Sequence, residues 1–211
     1  MIKLENVVKK YGEKIVIDNV SITFNNHKAY GICGPNGGGK TQLLKLICGF
    51  IKANSGNVYQ DDIKIRNKNN FIKDAGIIIE NPAFIKNLTV LENLELIRKI
   101  KEKTNKEELD EYIKYFNLDK YKFYLYKNLS LGTKQKMLII QALIDRPKIL
   151  ILDEPFNALD QKTCDKFIAY LKEYKKNNLL ILCSHGKEEI NLICDEIYRI
   201  EEGEITNHEK I

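Results

Sequence analysis

Residues 34–41, Gly34-Pro-Asn-Gly-Gly-Gly-Lys40-Thr41, have the spacing G-x-x-x-x-G-K-S/T. Phosphate oxygens need several donors at close range. Glycines let backbone N–H groups turn inward without a Cβ in the way, and they form an anion nest at a helix N-terminus. Gly34, Pro35, Asn36, Gly37, Gly38 and Gly39 would wall such a nest. Lys40 would reach the β- and γ-phosphates of a nucleotide, and the Thr41 hydroxyl would bind Mg²⁺. A second constellation, Ile149-Leu-Ile-Leu-Asp153-Glu154, runs an apolar strand into two carboxylates. Ligands of open α/β sheets bind at the carboxyl ends of strands, which is where Asp153 would stand. Asp153 would hold the metal through water, and Glu154 would be the general base on an attacking water. Either acid alone reads as the start of a surface loop. The phosphate loop elsewhere in the chain favours the chemical reading.

These groups can meet only if a sheet brings the ends of their strands to one edge. The pattern supplies such a sheet. Ala29 to Cys33 is a short apolar strand entering the glycines, and Leu43, Leu44, Ile47 and Cys48 then share one helical face. Gly76-Ile-Ile-Ile79, Ile149-Leu-Ile-Leu152 and Leu179-Leu-Ile-Leu182 are continuous apolar runs, the mark of parallel strands covered on both faces. Between the first two of these runs the period turns helical. Thr89 with Glu92 forms a capping box, and Asn105 with Glu108 a looser one ahead of Leu109, Tyr112, Ile113 and Phe116. Further helices are expected from about Thr133 and around Cys164, Phe167, Ile168 and Leu171. The first 25 residues read as extended structure, and 197–206 as a closing hairpin around Gly203. Alternating strands and helices define an α/β class with a mostly parallel core sheet, an N-terminal β region and a helical insertion over about 84–145.

Composition narrows the function classes. The 34 basic and 29 acidic residues are interspersed, so the net charge of +5 reads as a solvated surface rather than a nucleic-acid stripe. No uncharged stretch outlasts Ala29 to Gly39, too short for a transmembrane helix, and the N-terminal residues have no apolar signal core. The five cysteines, Cys33, Cys48, Cys164, Cys183 and Cys194, form no CxxC pair and read as small reduced core side chains of a cytosolic protein.

The segment Leu129-Ser-Leu-Gly-Thr-Lys-Gln-Lys136, lying ahead of Asp153, resembles the L-S-G-G-Q signature of ABC ATPases. With it the chain resembles, from about residue 2 to 206, the ATP-binding subunit of an ABC transporter, a P-loop NTPase built as a single domain over 1–211. The resemblance implies further roles. Tyr11 matches the aromatic that stacks on adenine. Glu80 sits where a glutamine usually touches Mg²⁺ and faces the membrane partner. Asp160, in Asn157-Ala-Leu-Asp160, matches the D-loop, with a second role as helix N-cap. His185 matches the switch histidine on the γ-phosphate. Ser130 and Gly132 keep the signature, and a second copy would close them over the γ-phosphate.

Three positions depart from the pattern: the wording L-S-L-G-T, Glu80 in place of glutamine, and Gln42 where a second hydroxyl residue is usual. The first two, with Glu80-Asn-Pro-Ala-Phe84, resemble subunits that export or resist antimicrobial peptides such as bacitracin and lantibiotics. The resemblance implies ATP and Mg²⁺ as cofactors. It implies a second ATPase subunit, like or unlike, and integral membrane permease subunits as partners, no nucleic acid, and a place on the cytoplasmic face of the membrane. Two alternatives stand: a soluble ABC ATPase of translation, repair or cluster assembly, and a small P-loop kinase, which the signature and His185 disfavour.

Overall fold

The computed structural model describes residues 1–66, 70–80, 84–101, 103–184 and 187–211. The chain begins with two long strands, β1 (Ile2–Tyr11) and β2 (Lys14–Phe24), then β3 (Lys28–Cys33) and helix α1 (Lys40–Cys48). There follow β4 (Ser55–Gln60), β5 (Ile63–Lys64), β6 (Ala75–Ile78), α2 (Val90–Lys101), α3 (Lys106–Tyr115) and α4 (Leu131–Leu143). The last part alternates β7 (Ile149–Asp153), α5 (Gln161–Tyr174), β8 (Leu179–Cys183) and α6 (Lys187–Ile193) before the strands β9 (Glu196–Glu201) and β10 (Glu204–Lys210).

Two sheets result. The first is antiparallel, in the order β2-β1-β4-β5, and the second runs β10-β9-β3-β8-β7-β6. In the second sheet β9, β3, β8, β7 and β6 are parallel neighbours, and only the β9–β10 hairpin is antiparallel. The apolar runs are explained by cover on both faces. On β7, Leu150 and Leu152 pack into a cluster with the helices, while Ile149 and Ile151 pack into a second cluster against α1 and the first sheet. On β8, Leu180 and Leu182 divide from Leu179 and Ile181 in the same way.

Helices α2 to α4 fall between β6 and β7 in the chain. Both expected capping boxes form. The Thr89 hydroxyl accepts from the Glu92 N–H while Glu92 accepts from the Thr89 N–H, and Asn105 and Glu108 reciprocate likewise. Neither β4 nor β5 stands out in the sequence, because Ser55-Gly-Asn-Val-Tyr-Gln60 lacks a clean alternation and pairs as a neighbour of β1. Among the described residues no helix is long and apolar enough to cross a membrane. None of the five cysteines is in a disulfide, and burial pushes the Cys48 and Cys194 thiols up to about 12, which keeps them protonated.

Candidate active site

Strand register builds the site's edge. Asp153, the last residue of β7, stands beside Cys183 of β8, which in turn stands beside Ile32 of β3. The glycine loop leaves β3 one residue further on, so it and the β7 carboxylates emerge side by side from one sheet edge.

The loop is held from two sides. Gly34 takes a φ of 147°, and a Cβ there would lie 2.0 Å from the Ile200 carbonyl oxygen. No side chain fits against β9 at that distance, so glycine is required by both conformation and contact. On the other side, the Gly203 N–H donates to the Gly38 carbonyl (3.1 Å) while the Asp18 N–H of β2 donates to the Gly203 carbonyl (2.9 Å). The β9–β10 turn thus joins the antiparallel sheet to the phosphate loop.

Helix α1 begins at Gly39 with no side-chain cap and no acid in its first turn. Its first N–H groups and the positive end of its dipole are left for an anion. Lys40 is buried, and its ammonium donates to the loop's own carbonyls, Gly34 at 2.8 Å and Pro35 at 3.0 Å. The Thr41 hydroxyl donates to Asp153 Oδ2 at 2.7 Å. A cleft of about 330 Å³ opens here, lined by Asn36, Gly37, Lys40, Thr41, Asp153 and Glu154 among others. Glu154 carries a left-handed backbone (φ 48°), and its N–H donates to the Cys183 carbonyl at 2.9 Å.

The donors present fit Mg²⁺. Thr41 and Asp153 offer hard oxygens, and among the described residues no three His, Cys, Asp or Glu side chains gather as a ready metal cage. Mg²⁺ is commonly held by one or two carboxylates, waters and the substrate's phosphates, so two protein ligands suffice for a metal arriving with a nucleotide.

The remaining expected residues divide. The Tyr11 hydroxyl donates to Gln42 Oε1 (3.1 Å), which gives the departure at Gln42 a physical role: it fixes the ring beside the loop. Ser130 caps α4, accepting from the Thr133 N–H at 3.3 Å. Gly132 lies so close to the Ala158 carbonyl that a Cβ would come within 2.4 Å of its oxygen. Ser130, Gly132 and Asp160 line a second cleft of about 610 Å³ together with Lys120 and Lys136. Asp160 caps α5 through the Thr163 N–H (2.9 Å) and pairs with Lys136 (2.8 Å). The Lys136 ammonium, with that N–H, holds the Asp160 carboxyl well below the usual carboxylate range. Glu80 is bound by Lys45 of α1. His185 lies outside the described residues, as do residues 81–83. Sequence reasoning placed the hairpin turn at Gly203 but missed its contact with Gly38 of the phosphate loop, and it missed Lys45 and Lys136. Spacing places Lys45 on the helical face of Thr41, four residues beyond it, but gives no sign of its pairing with Glu80.

An uncapped glycine nest joined to a strand-end carboxylate by a threonine hydroxyl defines a P-loop nucleotide-binding protein. The chain belongs to the ABC transporter family: residues 17–157 match that family's model, described as "ABC transporter". It is 34% identical over 213 residues to the uncharacterized ABC transporter ATP-binding protein YybJ of Bacillus subtilis, covering 100% of this chain and 97% of that one. It is 31% identical to the bacitracin transport ATP-binding protein BcrA of Enterococcus faecalis, covering 100% of this chain and 70% of BcrA. It is 32% identical to the lantibiotic transport ATP-binding protein SrtF of Streptococcus pyogenes, covering 97% of this chain and 89% of SrtF. Among solved structures, the dimeric ABC transporter cassette MJ0796 superposes with a TM-score of 0.87 at 30% identity, covering 100% of this chain and 98% of that one. The same cassette in a post-hydrolysis state with ADP and Pi gives 0.85, again at 30% identity and with the same coverage. The chain is therefore an ATP-binding, ATP-hydrolysing ABC subunit whose turnover is coupled to transport. Family membership sets aside the small-kinase alternative.

Proposed function

We propose that this chain, as one ABC ATPase domain with its helical subdomain over about 84–145, drives export of an antimicrobial peptide through separate permease subunits at the cytoplasmic face of the membrane. The observation that carries the nucleotide chemistry is the 2.7 Å hydrogen bond from Thr41 to Asp153, which joins the anion-binding helix to the acidic end of β7. The glycine backbone from Gly34 to Gly39 and the Lys40 ammonium bind the β- and γ-phosphates. Tyr11, steadied by Gln42, stacks on adenine. Thr41 and Asp153 would hold Mg²⁺, with Glu80 as a further ligand; the ion would supply charge neutralisation to the phosphates. Glu154 accepts the proton of the attacking water, and His185 contacts the γ-phosphate. Ser130, Gly132 and Asp160 face the nucleotide of a second cassette, so binding closes two copies and hydrolysis releases them. The similarity to BcrA and SrtF supports the peptide as cargo.

The test is membrane-borne. Vesicles carrying this subunit with its permease should show ATPase activity stimulated by bacitracin or a lantibiotic, lost in Lys40→Ala. Activity indifferent to every such peptide would overturn the cargo. Failure of the subunit to sediment with permease-containing membranes would overturn the transport role and favour the soluble alternative.

A further inference from the structure

Glu80 stands at the site's edge but does not join it. Ile78 of β6 lies beside Leu152 of β7, so Glu80, two residues beyond, emerges from the same edge as Asp153 and Glu154. Its backbone is left-handed (φ 59°), an uncommon conformation for glutamate. Its carboxylate is taken by the Lys45 ammonium in a close, hydrogen-bonded ion pair. Lys45 sits one helical turn beyond Thr41 on α1, and side chains at that spacing lie on one face. The helix thus presents a metal-type oxygen at Thr41 and a cation just beyond it, and the cation holds an acid two residues past the end of β6.

The pair is asymmetric in exposure. The Glu80 side chain is 63% exposed and that of Lys45 20%. An ion pair open to water on one side is weak and exchangeable, whereas a divalent cation is the largest local charge wherever it binds. We propose that Lys45 is a positioning residue that keeps the Glu80 carboxylate off the metal position in the nucleotide-free protein and gives it up when Mg²⁺-nucleotide arrives. On exchange, the carboxylate passes from the ammonium to the metal, and the ammonium turns to solvent. No bond is made or broken covalently. Glutamine at position 80 could ligate the metal but would hold Lys45 without charge, so the latch belongs to the Glu80–Lys45 combination. This inference rests on the reading of Thr41 and Asp153 as the Mg²⁺ site.

The experiment is titration of the full chain with Mn²⁺, followed by electron paramagnetic resonance, with a non-hydrolysable ATP analogue and protein in excess. Lys45→Met should tighten Mn²⁺ binding by about threefold, the scale an exposed ion pair supports. Lys45→Arg should restore the wild-type value. Glu80→Gln should weaken binding, and in that background Lys45→Met should change it by less than about 1.5-fold, because the coupled partner is gone. Tightening of equal size in both backgrounds would make Lys45 a diffuse repulsive charge and overturn the latch, as would no tightening in the Glu80 protein. Asp153→Asn separates the two levels of the argument. It should weaken Mn²⁺ binding whatever Lys45 does; if it leaves binding unchanged, the metal-site reading fails and the latch with it. If Asp153→Asn weakens binding while Lys45→Met is silent, only the latch fails.

Discussion

Gly132 packs so tightly on Ala158 that a Cβ at position 132 would lie 2.4 Å from the Ala158 carbonyl oxygen. That contact joins the start of α4 to the loop between β7 and α5. It sets two opposed effects against each other in Gly132→Ala. Helix propensity favours alanine by ~1 kcal/mol, but forcing a methyl onto a backbone oxygen costs ~1–3 kcal/mol. The clash should win, lowering the melting temperature by a few degrees and separating Ser130 from the Ala158 loop. Thermal denaturation and ATPase rate measured together check this; a more stable, fully active variant would show that the loop yields freely.

The Lys40 ammonium donates to the Gly34 and Pro35 carbonyls, which holds it inside the loop proposed to take the phosphates. Lys40→Ala should abolish turnover and weaken nucleotide binding. A ligand at a hundred times its dissociation constant stabilises by ~2.7 kcal/mol, which for a chain of this size raises the melting temperature by about 5–10 °C. That ATP-induced rise should be present in the wild type and largely lost in the variant, as a thermal shift assay would record.

Tyr11 is half exposed, and its hydroxyl is tied to Gln42. Tyr11→Ala should weaken ATP and ADP alike, by ~1–3 kcal/mol, because stacking on a base does not sense the γ-phosphate. Gln42→Ala should produce a smaller loss in the same direction. Calorimetric titration with both nucleotides distinguishes them, and an ATP-only effect would place the adenine elsewhere.

Asp160 has its oxygens engaged by Lys136 and by the first turn of α5. Asn caps helices about as well as Asp, so Asp160→Asn should lose only the charge pair, whereas Asp160→Ala should lose the cap as well, ~1 kcal/mol. The folded carboxyl is held below its ordinary range, so its contribution is fully present above the ordinary carboxylate pKa near 4 and fades as pH falls further. The small stability gap between wild type and Asp160→Asn should therefore stay constant from pH 8 to 5 and close below about pH 4. Melting curves across that range check the sign; a gap that widened in acid would contradict the Lys136 pairing.

Elements buried on both faces were the most legible in sequence. Ile149–Leu152 and Leu179–Leu182 announce themselves because every residue of a doubly covered strand must be apolar, and the glycine loop because few other residues tolerate its contacts. Strands β4 and β5 were not legible, since an exposed sheet neighbour needs only backbone pairing and tolerates Ser, Gly and Asn. Within the site, single residues at strand ends and loop glycines were visible by type and spacing. The partners that hold them were not. Lys45 on Glu80, Lys136 on Asp160 and Gly203 on Gly38 are long-range pairings that depend on how the two sheets and the helices meet.

Glu154 emerges from β7 directly after Asp153 and lines the same cleft as Lys40 and Thr41. Glu154→Gln keeps the size of the side chain and can still hydrogen-bond a water, but it cannot accept the proton. General-base catalysis contributes ~10²–10⁴-fold, so hydrolysis should fall by about that factor. Binding should survive, because the glycine backbone, Lys40, Thr41 and Asp153 are untouched. With hydrolysis blocked and binding intact, the ATP-bound pair of cassettes should accumulate. Size-exclusion chromatography with Mg²⁺-ATP should then show a dimer for Glu154→Gln, and adding Ser130→Arg should break it by placing bulk and charge at the facing γ-phosphate. A normal hydrolysis rate in Glu154→Gln would remove Glu154 from the role of base. Loss of hydrolysis without dimerisation at high ATP and protein concentrations would point instead to an unlike second cassette.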